Sequence, residues 1–547
     1  MTAEEIRGRI IEVTLANGGH LASSLGAVEI AMALDDVFDG GKDRIVWDVG
    51  HQAYAWKILT GRGGELATMR KFGGLSGFPN PKESKADAAV AGHAGVALSV
   101  AEGIAAARDR TDGKFHVVAV VGDAALANGT SFEALDNCAA TGSKVIVVLN
   151  DNESPAARSA GRLAKLLERF LPGPRLGRAF FERFGLRYVG PVDGHDVEAL
   201  KAALAVAKAE TRSVIVHVVT KKGKGYGPAE EDPVKWHGVS PAKPEGEGSS
   251  EEASGKTWSE AFGEALSEEA RHNERIVALT AGMKEGTGLH DFAATFPQRF
   301  FDVGIAEGHM VSFAAGLAAG GMRPVVAVYS TFLQRAVDQV MHDVCIAGLP
   351  VVFCVDRAGV VGSDGVTHQG LYDFAMLKCL PNLTICQPKD EADLKSLLRE
   401  ALKRKGPTVI RYPRGRIGVG EGVGEGVGEG DRSFRPVPSN CTFAIWATGD
   451  QLVKAQEVAR RLGGADVVHA RYLKPFDAQS LAMQRAVGRR IVSIENGAVS
   501  GGFGESIGAD VKFGWPDAFI PHGEVEQLEK AYGLDVDSIV AKLEAMK

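Results

Sequence analysis

The sequence predicts an α/β protein of three doubly wound parallel-sheet domains, the C-terminal one smaller. Three observations carry this. Runs of β-branched residues alternate with Ala-, Leu- and Glu-rich stretches along the chain, the pattern of parallel sheets with helices on both faces. The strand runs are apolar almost throughout, as strands buried on both faces are. Two low-complexity stretches divide the 547 residues, a length that suggests roughly three or four domains.

Residues 1–239 form the first block, with strands expected at "HVVAVVGD", "KVIVVLND" and "SVIVHVVT". A linker over 240–256, "SPAKPEGEGSSEEASGK", is rich in Pro, Gly, Ser and Glu and is expected to lack structure. The second block, 257–416, holds "RIVALT", "RFFDVG", "RPVVAVYS", "PVVFCVD", "LTICQP" and "TVIRYP". A second linker, 417–437, carries the tandem "GVGEGVGEGVGEG", a flexible composition. The third block, 438–547, holds "TFAIWATG", "DVVHARY" and "RIVSIE".

Composition excludes several classes. The chain is 45% hydrophobic and 24% charged, with a net charge of −7, so it lacks the basic footprint of a nucleic-acid binder. Its six cysteines are scattered with no C-x-x-C pair. They read as buried reduced thiols, not as a disulfide framework or a zinc site. The N-terminus "MTAEEIRGRI" is a charged helix start and not a signal peptide. No apolar run approaches the ~18 residues of a membrane span, and the expected location is cytoplasmic.

Ligands of open α/β sheets bind at the carboxyl ends of the strands. The polar residues there are Gly122-Asp123, Asn150-Asp151-Asn152, Glu307, Ser330, Asp356-Arg357 and Arg411 with Arg414. Mg²⁺ takes oxygen ligands and is held by one or two protein groups plus substrate phosphates. Asp123 offers a carboxylate, Asn152 a side-chain carbonyl, and Ser154 a backbone carbonyl. The stretch after Asp123, "SFEALDNCAA", looks helical, so its first amides suit phosphate oxygens. On residue chemistry alone, two ordinary turns are the plainer account of the same residues. A nicotinamide-binding sheet needs G-x-G-x-x-G after a first strand, and the nearest approach, Gly502-x-Gly504 with Gly508, has the wrong spacing.

Gly122-Asp123, followed after a helix and a strand by Asn152, resembles the thiamine diphosphate motif. Longer stretches narrow the resemblance: "GGHLASSLGAVE" (18–29), "RIVWDVGHQAYAWKILTGR" (44–62), "TKKGKGYGPAEEDPVKWHG" (220–238), "FFDVGIAEGHMVSFAAGLA" (300–318), "VAVYSTFLQRAVDQVMHDV" (326–344), "DRAGVVGSDGVTHQG" (356–370) and "IRYPRG" (410–415). Together they resemble the 1-deoxy-D-xylulose-5-phosphate synthase family over nearly the whole chain.

The resemblance implies a thiamine diphosphate-binding, transketolase-like fold and a homodimer, with the cofactor between the first and second domains of one chain. Thiamine diphosphate and Mg²⁺ are the implied cofactors; pyruvate and D-glyceraldehyde 3-phosphate are the implied substrates. Pyruvate would lose CO2 and condense with the aldehyde to 1-deoxy-D-xylulose 5-phosphate, feeding isoprenoid, thiamine and pyridoxal synthesis.

Glu307 would hydrogen-bond the aminopyrimidine. A buried carboxyl with a raised pKa can share its proton with a ring nitrogen and favour the tautomer that deprotonates the thiazolium C2. Phe332 would stack on the pyrimidine. Asp123, Asn152 and Ser154 would hold the metal. Gly92, His93, Ala94, Ala124, Ala125 and Tyr226 are implied as further cofactor contacts, with His237 and Lys222 as weaker candidates. His20 and His51 would line the cofactor and the reacting carbon, and His368 the substrate, since histidine transfers protons near neutral pH. Tyr329, Arg357 and Arg414 would bind the substrate phosphate through paired guanidinium donors, with Arg335 and Asp364 nearby. His116 and His217 read as strand residues, and His309 as a packing residue.

The chain departs from the family pattern at Ala124, where Gly is usual, at Ala94, where Ser is usual, and at Gly308, where Gln is usual. The segment after Asn152 is short, with "RLAKLLERFLPGPRLGRAFFERF" read as one or two helices. A transketolase-like transfer between sugar phosphates is the alternative enzyme reading, and "DVGHQAY" and "YSTFLQRA" argue against it. A non-catalytic homologue is the alternative from another class.

Overall fold

A computed structural model of the chain describes residues 1–152, 174–241, 255–418 and 441–547. The central parts of both expected linkers, Ser154, and most of the short segment after Asn152 lie outside the described residues. The end of the helical stretch read there is the helix Pro174–Phe181. The chain forms two compact units, Met1–Gly248 with Gly304–Ala306, and Ser249–Val303 with Glu307–Lys547.

The first unit holds one all-parallel five-stranded sheet. Its strands are β1 (Arg44–Trp47), β2 (Val117–Gly122), β3 (Ile146–Asp151), β4 (Arg187–Asp193) and β5 (Val214–Val219), in the order β1-β2-β3-β5-β4. Successive residues of β2 and β3 enter two different cores. Val118, Val120, Ile146 and Val148 face one; Val117, Ala119, Val121, Val147 and Leu149 face the other. With both faces covered, these strands are apolar up to their carboxyl ends, where Gly122 closes β2 and Asn150 and Asp151 close β3. The sequence reading missed β1, which is only four residues long, and β4, whose run is broken by Gly190-Pro191.

The second unit holds two sheets. One contains β6 (Ile276–Thr280), β7 (Phe300–Asp302), β8 (Arg323–Tyr329), β9 (Val352–Asp356), β10 (Thr384–Cys386) and β11 (Thr408–Arg411). The other contains β12 (Phe443–Ala447), β13 (Asp466–His469), β15 (Arg490–Ala498) and β16 (Val511–Trp515), ordered β13-β12-β15-β16 and all parallel. Between β13 and β15 the chain sends β14 (Tyr472–Lys474) back to pair antiparallel with β10, making the larger sheet seven-stranded. One hydrophobic core runs from Leu279, Val326 and Phe353 of the larger sheet to Trp446, Ile491 and Phe503 of the smaller domain. The shared core and the donated strand join the second and third blocks in one unit.

Helix starts follow local chemistry. Thr2 and Thr257 close capping boxes with Glu5 and Glu260, and Asp196, Asp390, Asp477 and Asp535 accept from amides of the helices they precede.

Candidate active site

In the first unit the site grows from the carboxyl ends of β1, β2, β3 and β5. Asp123 is the first residue of the helix Asp123–Leu126 that follows β2 directly, and its carboxylate is buried. Ala124 lies inside that helix and is not among the residues with positive φ. Gly is therefore not required there. Asn152 follows the last residue of β3, and its Oδ1 is buried with no hydrogen-bond donor among the described residues. A carbonyl oxygen in that state suits a cation. Burial draws Lys222 below the usual lysine range, with Asp123 opposing the shift. No group of three or more His, Cys, Asp and Glu suited to a metal occurs among the described residues. Mg²⁺ needs no such cluster where phosphates complete its shell, so Asp123 and Asn152 fit that ion.

The strand ends around them are braced. Asn150 donates to Gln52 Oε1 at 2.8 Å and accepts from Thr220 Oγ1 at 2.6 Å. His217, on β5 as expected, lies 3.0 Å from Asp151 Oδ2 through Nε2 and 2.8 Å from the Tyr188 hydroxyl through Nδ1. Burial pushes the Tyr188 hydroxyl up to about 12.

His20, His51 and His237 come together, with ring centroids 5.7 Å (His20–His51), 5.5 Å (His20–His237) and 5.4 Å (His51–His237) apart, and Phe78 lies 5.5 Å from His20. His237 belongs with the two stronger candidates on these distances. Burial holds the His51 and His237 pKa values well below the ordinary histidine value, with neighbouring cations adding to the shift. Both rings are therefore neutral near pH 7. Val49, two residues before His51, has φ of 57°, an outlier for a β-branched residue and a mark of a constrained turn.

Sequence reasoning missed Asp48. It follows β1 and accepts from the amides of Gly95, Val96 and Ala97 at 2.8–3.0 Å. This holds the turn carrying Gly92, His93 and Ala94. The strand-end rule applied to β1 would have found it. Ala94 is buried in the core, Ala125 likewise, and Tyr226 packs edge-on against Trp236 at 5.2 Å.

In the second unit the site grows from the ends of β7, β8, β9 and β11. Glu307 begins the helix Glu307–Ala319 and is 4% exposed. Its Oε2 has no hydrogen-bond partner among the described residues, and the Arg335 guanidinium is 3.8 Å away. Burial raises the Glu307 pKa and Arg335 opposes it. An orphaned oxygen on a carboxyl biased toward its neutral form suits a ring nitrogen.

The Arg357 guanidinium lies 3.8 Å from the centre of the Tyr329 ring. Tyr329 stacks on Phe332 at 5.8 Å, and Phe332 meets His368 at 5.7 Å. Arg414 is 3.4 Å from Asp364. Arg357 has φ of 58°, a conformation that costs a non-glycine residue free energy and marks functional turns. Gly286 was also missed: a Cβ there would fall 1.7 Å from the Tyr329 hydroxyl.

Several expectations change. Arg411, one of the strand-end candidates, is committed internally: it is 2% exposed and its guanidinium is bound to both oxygens of Asp373 and to Gln387. Cys379 is exposed and Cys441 half-buried, whereas the other cysteines are buried. His116 precedes β2 instead of lying in it. His309 stacks on Phe313, in keeping with its reading as a packing residue. The imperfect glycine motif at 502–508 has an internal occupant, because the Glu495 carboxylate accepts from the amides of Phe503 and Gly504 at 2.7 and 2.8 Å.

The N-terminal model of 1-deoxy-D-xylulose-5-phosphate synthase matches residues 1–178 and 174–220. The transketolase pyrimidine-binding domain matches 254–419, and the transketolase C-terminal domain matches 435–539. Among curated relatives, the 1-deoxy-D-xylulose-5-phosphate synthase of Desulforudis audaxviator is 42% identical over 100% of this chain and 94% of its own length. The synthase 1 of Geobacter metallireducens is 44% identical over 99% of this chain and 95% of its own. A solved transketolase from Campylobacter jejuni aligns with a TM-score of 0.49 at 18% identity, covering 99% of this chain and 98% of that one. The sheets, the strand-end site and these domain matches define a transketolase-like, thiamine diphosphate-dependent enzyme. Within that class, the chain belongs to the 1-deoxy-D-xylulose-5-phosphate synthase family.

Proposed function

We propose that the chain condenses pyruvate with D-glyceraldehyde 3-phosphate, releasing CO2 and giving 1-deoxy-D-xylulose 5-phosphate, with thiamine diphosphate and Mg²⁺, as a cytoplasmic homodimer. One carbon–carbon bond breaks, one forms, and one proton is taken up. The bound cofactor supplies the carbon nucleophile and the electron sink. The observation that carries the reading is Glu307, a buried carboxyl with an orphaned oxygen and a raised pKa at a helix start.

The chain's own residues divide the work. Asp123 and Asn152 would hold the metal, and the helix that Asp123 begins and the turn at Gly92, His93 and Ala94 would receive the diphosphate. Glu307 holds a proton at Oε2 for the pyrimidine ring, and Phe332 covers that ring. His20 and His51, with His237, hold or move protons beside the reacting carbons; His368 approaches from the Phe332 side. Arg357, Tyr329 and Arg414 bind the aldehyde's phosphate, and Asp364 orients Arg414. Arg335 sets the charge at Glu307.

The test is product formation from pyruvate and glyceraldehyde 3-phosphate, with and without thiamine diphosphate and Mg²⁺. Ribose 5-phosphate with xylulose 5-phosphate is the control pair. Cofactor-dependent deoxyxylulose phosphate is expected. Turnover of the sugar-phosphate pair alone would overturn the substrate assignment.

A further inference from the structure

The segment 357–371 carries Arg357, Asp364 and His368, and it rests on the third block of the chain. Asn496, on β15, accepts from the Val360 amide through Oδ1 at 3.0 Å. The same oxygen accepts from Trp515 Nε1 at 3.1 Å. Its backbone carbonyl accepts from Arg411 Nη2 at 3.2 Å, three residues before Arg414. A single residue therefore ties together the two segments that bear the candidate phosphate ligands.

The fit is close on both sides. Gly359 has φ of +97°, and a Cβ there would fall 2.3 Å from Asn496 Cγ. Gly359 and Gly370 exchange backbone hydrogen bonds at 2.7 Å across the base of the loop. Val361 donates to Gln369 Oε1 at 2.7 Å, and Gln369 Nε2 donates to the Pro521 carbonyl at 3.0 Å. Gly365 packs on His522, where a Cβ would approach within 3.1 Å. Arg414 Nη1 reaches the Val361 carbonyl at 3.3 Å. Thus the backbone that Asn496 holds is the backbone that Arg414 touches.

We propose that Asn496 is a positioning residue for the substrate-phosphate site, and that the third block serves the reaction as the template on which the 357–371 loop is set. Asn496 touches neither substrate nor cofactor in this reading; it acts through Val360 and Arg411. The inference rests on the assignment of Arg357, Tyr329 and Arg414 to the phosphate. A guanidinium cluster binds phosphate well only when its donors are held at fixed spacing, so a small displacement of the loop weakens binding steeply.

The test is steady-state kinetics of the full-length holoenzyme. Asn496→Ala is expected to raise KM for glyceraldehyde 3-phosphate about tenfold. KM for pyruvate, KM for the unphosphorylated acceptor glyceraldehyde, and calorimetric affinity for thiamine diphosphate should each change by less than about twofold. Trp515→Phe removes a donor to the same oxygen without touching the loop, and it should leave KM for glyceraldehyde 3-phosphate unchanged. An unchanged KM in Asn496→Ala, or an equal rise for both acceptors, overturns the proposal. If Asn496→Ala does not fold, Gly359→Ala disturbs the contact from the loop side, and it must raise the same KM for the proposal to stand. Arg357→Ala separates the two readings. If it leaves KM for the phosphorylated acceptor unchanged, the phosphate assignment has failed; if it raises KM while the Asn496 and Gly359 variants do not, only the brace has failed.

Discussion

The Glu307 carboxylate lies 3.8 Å from the Arg335 guanidinium, and burial still raises its pKa above the ordinary value. Desolvation outweighs the cation because the carboxyl is almost wholly excluded from water. Glu307→Ala is expected to lower kcat by about 10²–10⁴-fold, the usual range for lost acid–base catalysis. The melting temperature should not fall, since a buried and poorly solvated group is removed. Steady-state rates and thermal melts of the same preparation check both parts, and wild-type turnover would remove Glu307 from the reaction.

Asp123 and Asn152 follow the carboxyl ends of the neighbouring strands β2 and β3. Asp123→Ala should weaken thiamine diphosphate binding about 10–100-fold at fixed Mg²⁺, the range seen when metal-site support is lost. Raising Mg²⁺ should recover part of the loss. Calorimetric titration at two metal concentrations reads this, and an unchanged metal requirement would exclude Asp123 from the site.

Arg357 is held over the Tyr329 ring in a left-handed backbone conformation. Arg357→Lys keeps the charge but loses the planar paired donors. KM for glyceraldehyde 3-phosphate should rise about tenfold or more, with KM for pyruvate unchanged. Equal KM values for the variant and the parent would count against a phosphate ligand at this position.

Asp356 sits behind Arg357, fully buried, with Ser259 Oγ donating to its Oδ2 at 2.6 Å. Burial lifts its pKa from 3.8 to about 6, with Arg357 and then Ser259 opposing. The folded-state pKa is raised, so the folded protein favours the neutral acid. The associated stability is full below the unfolded pKa of 3.8 and is lost as pH rises through about 6. The loss is about 3 kcal/mol as an order of magnitude. Asp356→Asn should match the parent near pH 4 and melt higher than the parent above pH 6, with the difference opening between those values. Parallel melting curves across that window would contradict the assignment.

Ala124 stands inside the helix Asp123–Leu126. Restoring the family's glycine with Ala124→Gly should therefore not tighten cofactor binding, and it should cost about 0.5–1 kcal/mol of stability. Affinity and melting temperature measured together test this; a tighter cofactor would mean that the bound form needs a backbone conformation Ala cannot reach.

Much of this was legible in the sequence because parallel strands buried on both faces are continuous apolar runs, and ligand groups follow such runs directly. Asp123, Asn152, Glu307 and Arg357 were selected as candidates by that rule. It failed where the run was short or interrupted, as at β1, β4 and β16, and Asp48 was lost with β1. It also selected Arg411, which closes β11, as it selected Arg357, which follows β9. In sequence the two arginines look alike, yet one is clamped between Asp373 and Gln387 while the other lies on a tyrosine ring. By itself, the order of apolar runs marked three α/β blocks, and the longer motifs carried the resemblance to the family and the candidate site residues. Only the tertiary structure decided which polar groups bind one another. His237 joins His20 and His51, Glu495 fills its own glycine turn, and Asn496 reaches Val360 across 136 residues of chain. The reason is physical: periodicity and turn chemistry act between neighbours in the chain, whereas burial and hydrogen-bond satisfaction depend on neighbours in space.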